Sequence, residues 1–492
     1  MFLLGIDVGT SSIKVSVVDA QTGGTVASAQ HPDSEAAIIA TQPGWAEQSA
    51  EDWWKNVKAA IKKAAATNTF DPKEIRAIGI AYQMHGLVVV DNEQQVLRNS
   101  IIWCDSRAVS YGDAAFAAIG EKESLGSLLN SPGNFTASKL AWVKENEPWV
   151  FEKVDKVLLP GDFIAMKLTG DVTTSSSALS EGILWDFQKD EVSDKVTSYF
   201  RFNKQLFPPV QPLFSTHGVL KKLIADELGL TAGIPVAYKA GDQPNNALSL
   251  NVLQPGEVAA NAGTSGVIYG VSDQLTYDQQ SRVNSFAHVN YSAGKKRIGV
   301  LLCINGTGIA NRWLRTLMDA SKSYAEWNKE AQVIPAGSEG LYFLPFGNGA
   351  ERMLNNKIVG AHLHGVDFNK HTAAHLYRAG QEGIAFAFRY GLDIMRNTGM
   401  QPSIIRAGKT NMFLSEVFTE AFVNATGVPV ELYNSDGSVG AALGAGIGAD
   451  IYKNESEAFI HLKPLQLITP SKAAIYNTLY EGWKKMLEKQ LA

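Results

Sequence analysis

Leu4-Gly5-Ile6-Asp7-Val8-Gly9-Thr10-Ser11-Ser12-Ile13-Lys14-Val15 decides how the rest of the chain is read. An apolar run reaches Asp7, a Gly-Thr-Ser-Ser turn follows, and Ile13, Val15 and Val17 resume a period of two. That pattern predicts a β-hairpin with an acidic residue at its mouth. Such a turn suits a phosphate: Gly9 lets the backbone approach an anion, and the turn amides and the Thr10, Ser11 and Ser12 hydroxyls can donate to its oxygens. Asp7 can hold Mg²⁺ directly or through water. An ordinary tight hairpin has the same local pattern, so its meaning depends on what accompanies it.

Half a chain later the pattern returns. Glu257-Val258-Ala259-Ala260-Asn261-Ala262 runs into Gly263-Thr264-Ser265-Gly266 and a second apolar run, Val267 to Gly270. The echo suggests two related domains facing each other across a cleft. At 492 residues the chain is too long for one core. The expected division is 1–245 and 246–492.

Between the hairpins, Thr22-Gly23-Gly24 turns the chain into a third strand near Thr25 to Gln30. Ser49 reads as an N-cap with Asp52 at its third position, and Trp53, Val57, Ala60, Ile61 and Ala64 fall on one helical face. Ile75 to Tyr82 is a strand that delivers Gln83-Met84-His85-Gly86 at its end, where ligands gather in α/β proteins. Asp105 and Arg107 pair most simply with each other. The largely helical stretch from about 110 to 215 reads as a cap on the first domain. Pro235 to Ala240 is a strand leading to Gly241-Asp242, an exposed carboxylate that doubles as the N-cap of the next helix.

Farther on, Met412 to Thr426 is expected as a helix closed by Gly427. The small residues from Val439 to Gly446 allow a helix to pack very close to a neighbour or a nucleotide. A last helix carries Ile475, Leu479, Trp483, Met486 and Leu487 as a docking stripe. The net charge of −5 argues against a nucleic-acid or anionic-membrane surface. Cys104 and Cys303 have neither metal-ligand nor disulfide spacing. With no basic lead-in before the short apolar start and no span of bilayer length, a cytoplasmic protein is expected.

Taken together, the Gly5-to-Lys14 hairpin, Gly44-Trp45-Ala46-Glu47-Gln48, Gln83 to Gly86, Trp103 to Arg107, Asp155 to Pro160, Asp242, Gly263 to Gly266 and Gly437 to Gly446 resemble the FGGY family of carbohydrate kinases. The resemblance runs nearly the whole chain. It implies two actin- and hexokinase-like ATPase domains of the ribonuclease H-like α/β class with a cleft between them. Met84-His85-Gly86 resembles the motif of members acting on D-xylulose, so the implied reaction moves the γ-phosphoryl of ATP to the C5 hydroxyl of that ketose.

The resemblance places Asp242 as catalytic base and Asp7 as a catalytic residue and the Mg²⁺ ligand. Met84, His85, Trp103, Asp242 and Asn246 are implied for the sugar. Gly9, Thr10, Ser11, Ser12, Lys14, Gly263, Thr264, Ser265, Gly408, Lys409 and Asn411 are implied for ATP. The sequence departs from the family at Ala407-Gly408-Lys409-Thr410-Asn411, usually Gly-Gly-Gly-Ala, and at Gln243-Pro244-Asn245-Asn246, usually Asn-Ala. The implied partners are ATP and D-xylulose or a related ketose, with a homodimer allowed. Alternative readings are a kinase for ribulose, gluconate or an alditol, an actin-like ATPase without an acceptor, or a non-catalytic sugar sensor.

Overall fold

The opening hairpin forms as its alternation dictates, in a computed structural model that describes residues 1–492. Numbering the strands of the two main sheets, β1 (Phe2–Val8) pairs antiparallel with β2 (Ile13–Asp19), Asp7 opposite Lys14. The third strand is β3 (Thr25–His31). Helix α1 (Ala50–Ala65) is capped by Ser49, whose Oγ accepts from the Asp52 amide at 3.2 Å. All five predicted apolar residues are buried on it, with Trp54 in addition; each large side chain so buried stabilises by about 1.5–3 kcal/mol. β4 (Ile75–Tyr82) lies parallel to β1. After a helical stretch that includes α2 (Thr136–Asn146) and α3 (Ser176–Glu181), β5 (Val236–Gly241) pairs parallel with β4 and leads into α4 (Asp242–Ser249). The sheet order is β5-β4-β1-β2-β3.

The second half repeats the plan. β6 (Glu257–Ala262) and β7 (Gly266–Ser272) form the second hairpin, followed by β8 (Asn284–Ala287) and β9 (Ile298–Ile304). After α5 (Gly308–Asp319), α6 (Tyr324–Gln332) and the long, largely buried α7 (Ala373–Asn397) comes β10 (Ile404–Gly408). Then come α8 (Glu416–Thr426), β11 (Val430–Tyr433), α9 (Gly437–Gly448), β12 (Gln466–Ile468) and α10 (Ala473–Leu491). Within the order β8-β9-β7-β6-β10-β11-β12, the run β9-β7-β6-β10-β11 has the same sequence of antiparallel and parallel pairings as β3-β2-β1-β4-β5.

Two features tie the halves together. Helix α9 belongs to the second half by sequence but packs on β1, β2, β4 and β5 of the first sheet. Glycines make that seat: a Cβ on Gly5 would lie 1.8 Å from the Ser438 carbonyl oxygen, and one on Gly79 1.9 Å from that of Ala441. The close packing expected of the small residues is therefore made against strands. The helical stretch, expected as a cap on the first domain, also holds the second sheet's edge. Asn130 exchanges bonds with the Ser285 backbone at 2.6 and 3.0 Å. Ser177 and Ser180 bond the Ala287 backbone at 2.8 and 2.9 Å. Side chains thus satisfy backbone groups that an open edge would leave unpaired. The largest apolar cluster, 75 buried residues, accordingly runs from Met84 and Phe135 of the first half through the helical stretch and the second sheet to Trp483.

Three local expectations are corrected. The helix expected from Met412 begins at Glu416, because a 3₁₀ turn (Asn411–Leu414) comes first and Ser415 caps the α-helix behind it. Gly427 closes it at φ 69°, as expected. On α10 the buried stripe is Tyr476, Tyr480, Trp483 and Leu487, while Ile475 is 52 % exposed. The tyrosines win the interior because their hydroxyls find carboxylates there, Glu420 at 2.8 Å and Asp393 at 3.1 Å. Asp242 is the first residue of α4, not its cap, a place Gly241 takes, which leaves the carboxylate free of that duty.

Candidate active site

β4 ends by presenting Met84 and His85 at the junction of the halves. His85 sits at φ 64°, a left-handed conformation that a non-glycine residue holds only when its surroundings impose it. Its Nδ1 lies 2.9 Å from the Glu181 carbonyl oxygen. A carbonyl can only accept, so Nδ1 carries the proton and Nε2 is left as an acceptor. Burial, aided by the Lys139 cation, lowers the imidazole to about 3, so the ring is neutral. The His85 carbonyl accepts from Thr136 Oγ1 at 3.2 Å and from Lys139 Nζ at 3.0 Å. Lys139 donates again to the Ile102 carbonyl at 3.0 Å, tying the His85 segment to the one that carries Trp103. Its ammonium is fully buried, and burial lowers it to about 7 against the opposing field of Asp105. In the sequence Lys139 is one residue of a helix start, and nothing marks it.

The first turn is braced from the same side. Thr10 Oγ1 donates to Gln83 Oε1 at 3.2 Å and accepts from Trp103 Nε1 at 3.0 Å. Gln48 Nε2 donates to the Thr10 carbonyl at 2.8 Å, while Gln48 Oε1 accepts from Gln83 at 3.0 Å and from Trp53 at 3.1 Å. The Thr10 hydroxyl is thus spent inside the protein, and its backbone is what remains for a phosphate. Asp105 and Arg107 pair as expected, at 2.7 Å. Arg107 also reaches Glu47 at 2.7 Å and stacks over Trp45, 3.8 Å from the ring centre, so Trp45 serves packing.

Carboxyl groups converge where β1 and β5 end and α9 begins. A Cβ on Gly437 would meet Asp7 Oδ2 at 2.7 Å and Asn246 Oδ1 at 3.2 Å, so strand β1, helix α4 and the start of α9 touch there. Burial, then the Asp436 charge, pushes Asp7 up to about 6. Burial, then the Asp7 charge, pushes Asp242 up to about 7. Glu181, which no sequence motif marks, is raised well above the carboxylate range by burial, with Asp242 adding to it. Its Oε1 has no partner, and its Oε2 would lie 2.5 Å from a Cβ on Gly241.

The second turn faces a cavity of about 760 Å³ lined by Gly263, Thr264, Gly308, Arg312, Tyr324 and Asn411, among others. A smaller groove of about 140 Å³ joins Asn261, Gly408 and Asn411 to Asn246 and Gly437. The amides of Thr10, Ser11 and Ser12 donate to no protein group, and neither do those of Gly263, Thr264 and Ser265. Carbonyls of the second turn accept from the first amides of α5, Gly308 to Gly263 at 2.9 Å and Ile309 to Thr264 at 3.0 Å. The structure does not bring Lys409 to either cavity: its Nζ lies 3.4 Å from Gln466 Oε1, on the β12 side. Lys14 is exposed across the hairpin from Asp7, whose carboxyl it lowers slightly against the larger effects of burial and Asp436.

Comparison with known proteins agrees with this geometry. The N-terminal domain of the FGGY family of carbohydrate kinases matches residues 2–249, and its C-terminal domain matches residues 258–449. A xylulose kinase of Escherichia coli (strain K12) is 29% identical over 99% of each chain. The crystal structure of a xylulose kinase from Brucella ovis superposes with a TM-score of 0.90 at 25% identity over 99% of each chain. A gluconate kinase from Lactobacillus acidophilus shares the fold, with a TM-score of 0.90 at 23% identity over 100% of this chain and 98% of its own. No helix is long and apolar enough to cross a membrane. The chain belongs to the FGGY family of carbohydrate kinases, and it is a sugar phosphotransferase with two α/β domains of the kind the opening hairpin foretold.

Proposed function

We propose that the protein phosphorylates the C5 hydroxyl of D-xylulose with ATP, giving D-xylulose 5-phosphate and ADP, in the cytoplasm. The observation that carries this reading is the approach of Asp242 to Asp7, whose charge it feels, at the ends of β5 and β1, the strands on either side of β4, which leads to Met84 and His85. Nucleotide phosphates would lie between the two sets of free amides, with the adenosine in the larger cavity beside Tyr324 and Asn411. Phosphoryl transfer needs chiefly positioning and charge neutralisation, and oriented amides supply both.

Asp242 takes the proton of the C5 hydroxyl as that oxygen bonds to the γ-phosphorus and the bond to the ADP oxygen breaks. An unperturbed aspartate, at about 3.9, is a poor base. Raised to about 7, Asp242 is matched to its task near neutrality, and its place in the first turn of α4 favours the charge it must carry. The neutral His85 offers Nε2 to a sugar hydroxyl.

The residues fit Mg²⁺. Asp7 feels the Asp436 charge and Asp242 feels that of Asp7, yet no three histidine, cysteine or carboxylate side chains stand close enough together to hold a metal ion by themselves. A cation that keeps several waters and takes the rest of its ligands from phosphate oxygens suits such a site, with Asp7 holding it directly or through water. When bound, it would neutralise charge on the phosphate oxygens. A coupled ADP-release assay over D-xylulose, D-ribulose, gluconate and xylitol, with Asp242→Ala as control, tests the reading. Sugar-dependent ADP release greatest with D-xylulose and absent from the control is expected. A different preferred acceptor overturns the substrate, and full turnover in the control overturns the role of Asp242.

A further inference from the structure

The second domain contributes a cation to the sugar side of the cleft. Arg352 lies on a single 3₁₀ turn (Arg352–Leu354). Its Nε donates to the Ser281 carbonyl at 2.9 Å and its Nη1 to Asn284 Oδ1 at 2.7 Å, both neutral acceptors. The neighbouring Glu351 carboxylate faces away and accepts from the Asn305 amide at 2.9 Å. The guanidinium therefore has no carboxylate partner, and Nη2 donates to nothing in the protein. A half-buried cation with no counter-charge keeps an unused donor on offer, which points to an acceptor supplied from outside.

Its position indicates which group. The guanidinium carbon lies 5.8 Å from the centre of the Phe135 ring, which packs edge-on against His85 at 4.7 Å. Phe286 of β8 closes the same corner, 5.5 Å from His85. Cys303 lies on β9, which packs against the turn that carries Arg352; its side chain is exposed and feels the charges of both Asp242 and Arg352. An acceptor with its reacting hydroxyl on Asp242 would run past Cys303 toward Arg352.

We propose that Arg352 is a specificity-determining residue: its unused Nη2 donates to the oxygens at the end of the acceptor remote from the phosphorylated hydroxyl, the carbonyl-bearing C1–C2 end of a ketose. This rests on the sugar-kinase reading and names the group that separates a ketose from the matching alditol. A ketone oxygen only accepts and suits a fixed cationic donor. A hydroxyl in its place must give up part of its own bonding to do the same.

The test compares wild type, Arg352→Met and Arg352→Lys with D-xylulose, xylitol and gluconate. In Arg352→Met the KM for D-xylulose should rise roughly 10–100-fold, the range of one lost charge-assisted hydrogen bond. The KM for ATP should stay within about twofold and the preference for ketose over alditol should shrink, with Arg352→Lys recovering part of both. An unchanged ketose KM and ketose-to-alditol ratio would overturn the proposal. So would a joint shift of both KM values with Tm, which would make Arg352 a strut for residues 281–284. If wild type prefers gluconate, the ketose reading falls and Arg352 is judged on the gluconate KM in the same variants. ATP hydrolysis with no acceptor used would defeat both.

Discussion

The two sheets of this protein are one plan used twice, and they differ where the chemistry lies. Asp7-Val8-Gly9-Thr10-Ser11 and Asn261-Ala262-Gly263-Thr264-Ser265 occupy matching strand ends. In the first, the residue two before the glycine is a half-buried carboxylate pushed up to about 6; in the second it is an exposed asparagine. The first turn is braced through Thr10 to Gln83 and Trp103, residues of the sugar side, whereas the Thr264 side chain is exposed and forms no hydrogen bond within the protein. Both turns keep free amides. A repeated backbone can thus supply two phosphate-facing turns, while acid chemistry is confined to one copy by a few side chains.

The severest test of this contrast removes the acid from one side and the amide from the other. Asp242→Asn should cost about 10²–10⁴-fold in sugar-dependent kcat with ATP binding retained, the usual range for a general base. Asn261→Ala, at the position matching Asp7, should cost only a few-fold. Equal losses would mean that the halves share the chemistry.

A second test attacks the joint between them. Gly79→Ala places a Cβ 1.9 Å from a backbone oxygen of α9. The backbone cannot yield as a side chain would, so the loss should reach or exceed the roughly 1–3 kcal/mol typical of overpacking. Thermal unfolding measures it, and an unchanged Tm would show that α9 is loosely seated.

The two threonines separate the turns more finely. Thr10→Ala should raise the sugar KM a few-fold by freeing Trp103 and Gln83, and Thr264→Ala should raise the KM for ATP instead. Steady-state kinetics with each substrate varied in turn reads this, and identical profiles would erase the distinction.

The smallest effect is on stability against pH. Asp7 and Asp242 have folded pKa values raised to about 6 and about 7, above the unfolded value of about 3.9. The folded state therefore binds more protons, and the stability they contribute, complete below about pH 4, is lost as pH rises through 6 to 7. Asp7→Asn should raise the Tm of the ligand-free protein at pH 8 by a few degrees and by less at pH 5, while its response to Mg²⁺ weakens. A Tm gain independent of pH would refute the assigned burial cost.

Much of the fold was legible because it rests on local pattern. The first hairpin, the strand to Tyr82, the Ser49 cap and the Gly427 stop appear where periodicity and capping chemistry put them. Asp7, Met84, His85 and Asp242 stood out because each sits at a strand end beside a turn. Lys139, Glu181 and Arg352 did not, since each is an unremarkable residue in its own segment and gains meaning from groups far off in the chain, His85, Asp242 and Phe135 respectively. Lys409 shows the converse: the family resemblance implies it for ATP, and its side chain lies beside Gln466 on the β12 side, a contact no local pattern records.

Residue order alone settled the strands, the two Gly-Thr-Ser turns and the family, because alternation and turn chemistry act within a few residues. The packed molecule was needed to set the charge states of Asp7 and Asp242, the bracing of the first turn, the crossing of α9 onto the other sheet and the uncompensated cation at Arg352. Burial and fields depend on which distant groups are brought together, and no local pattern records that.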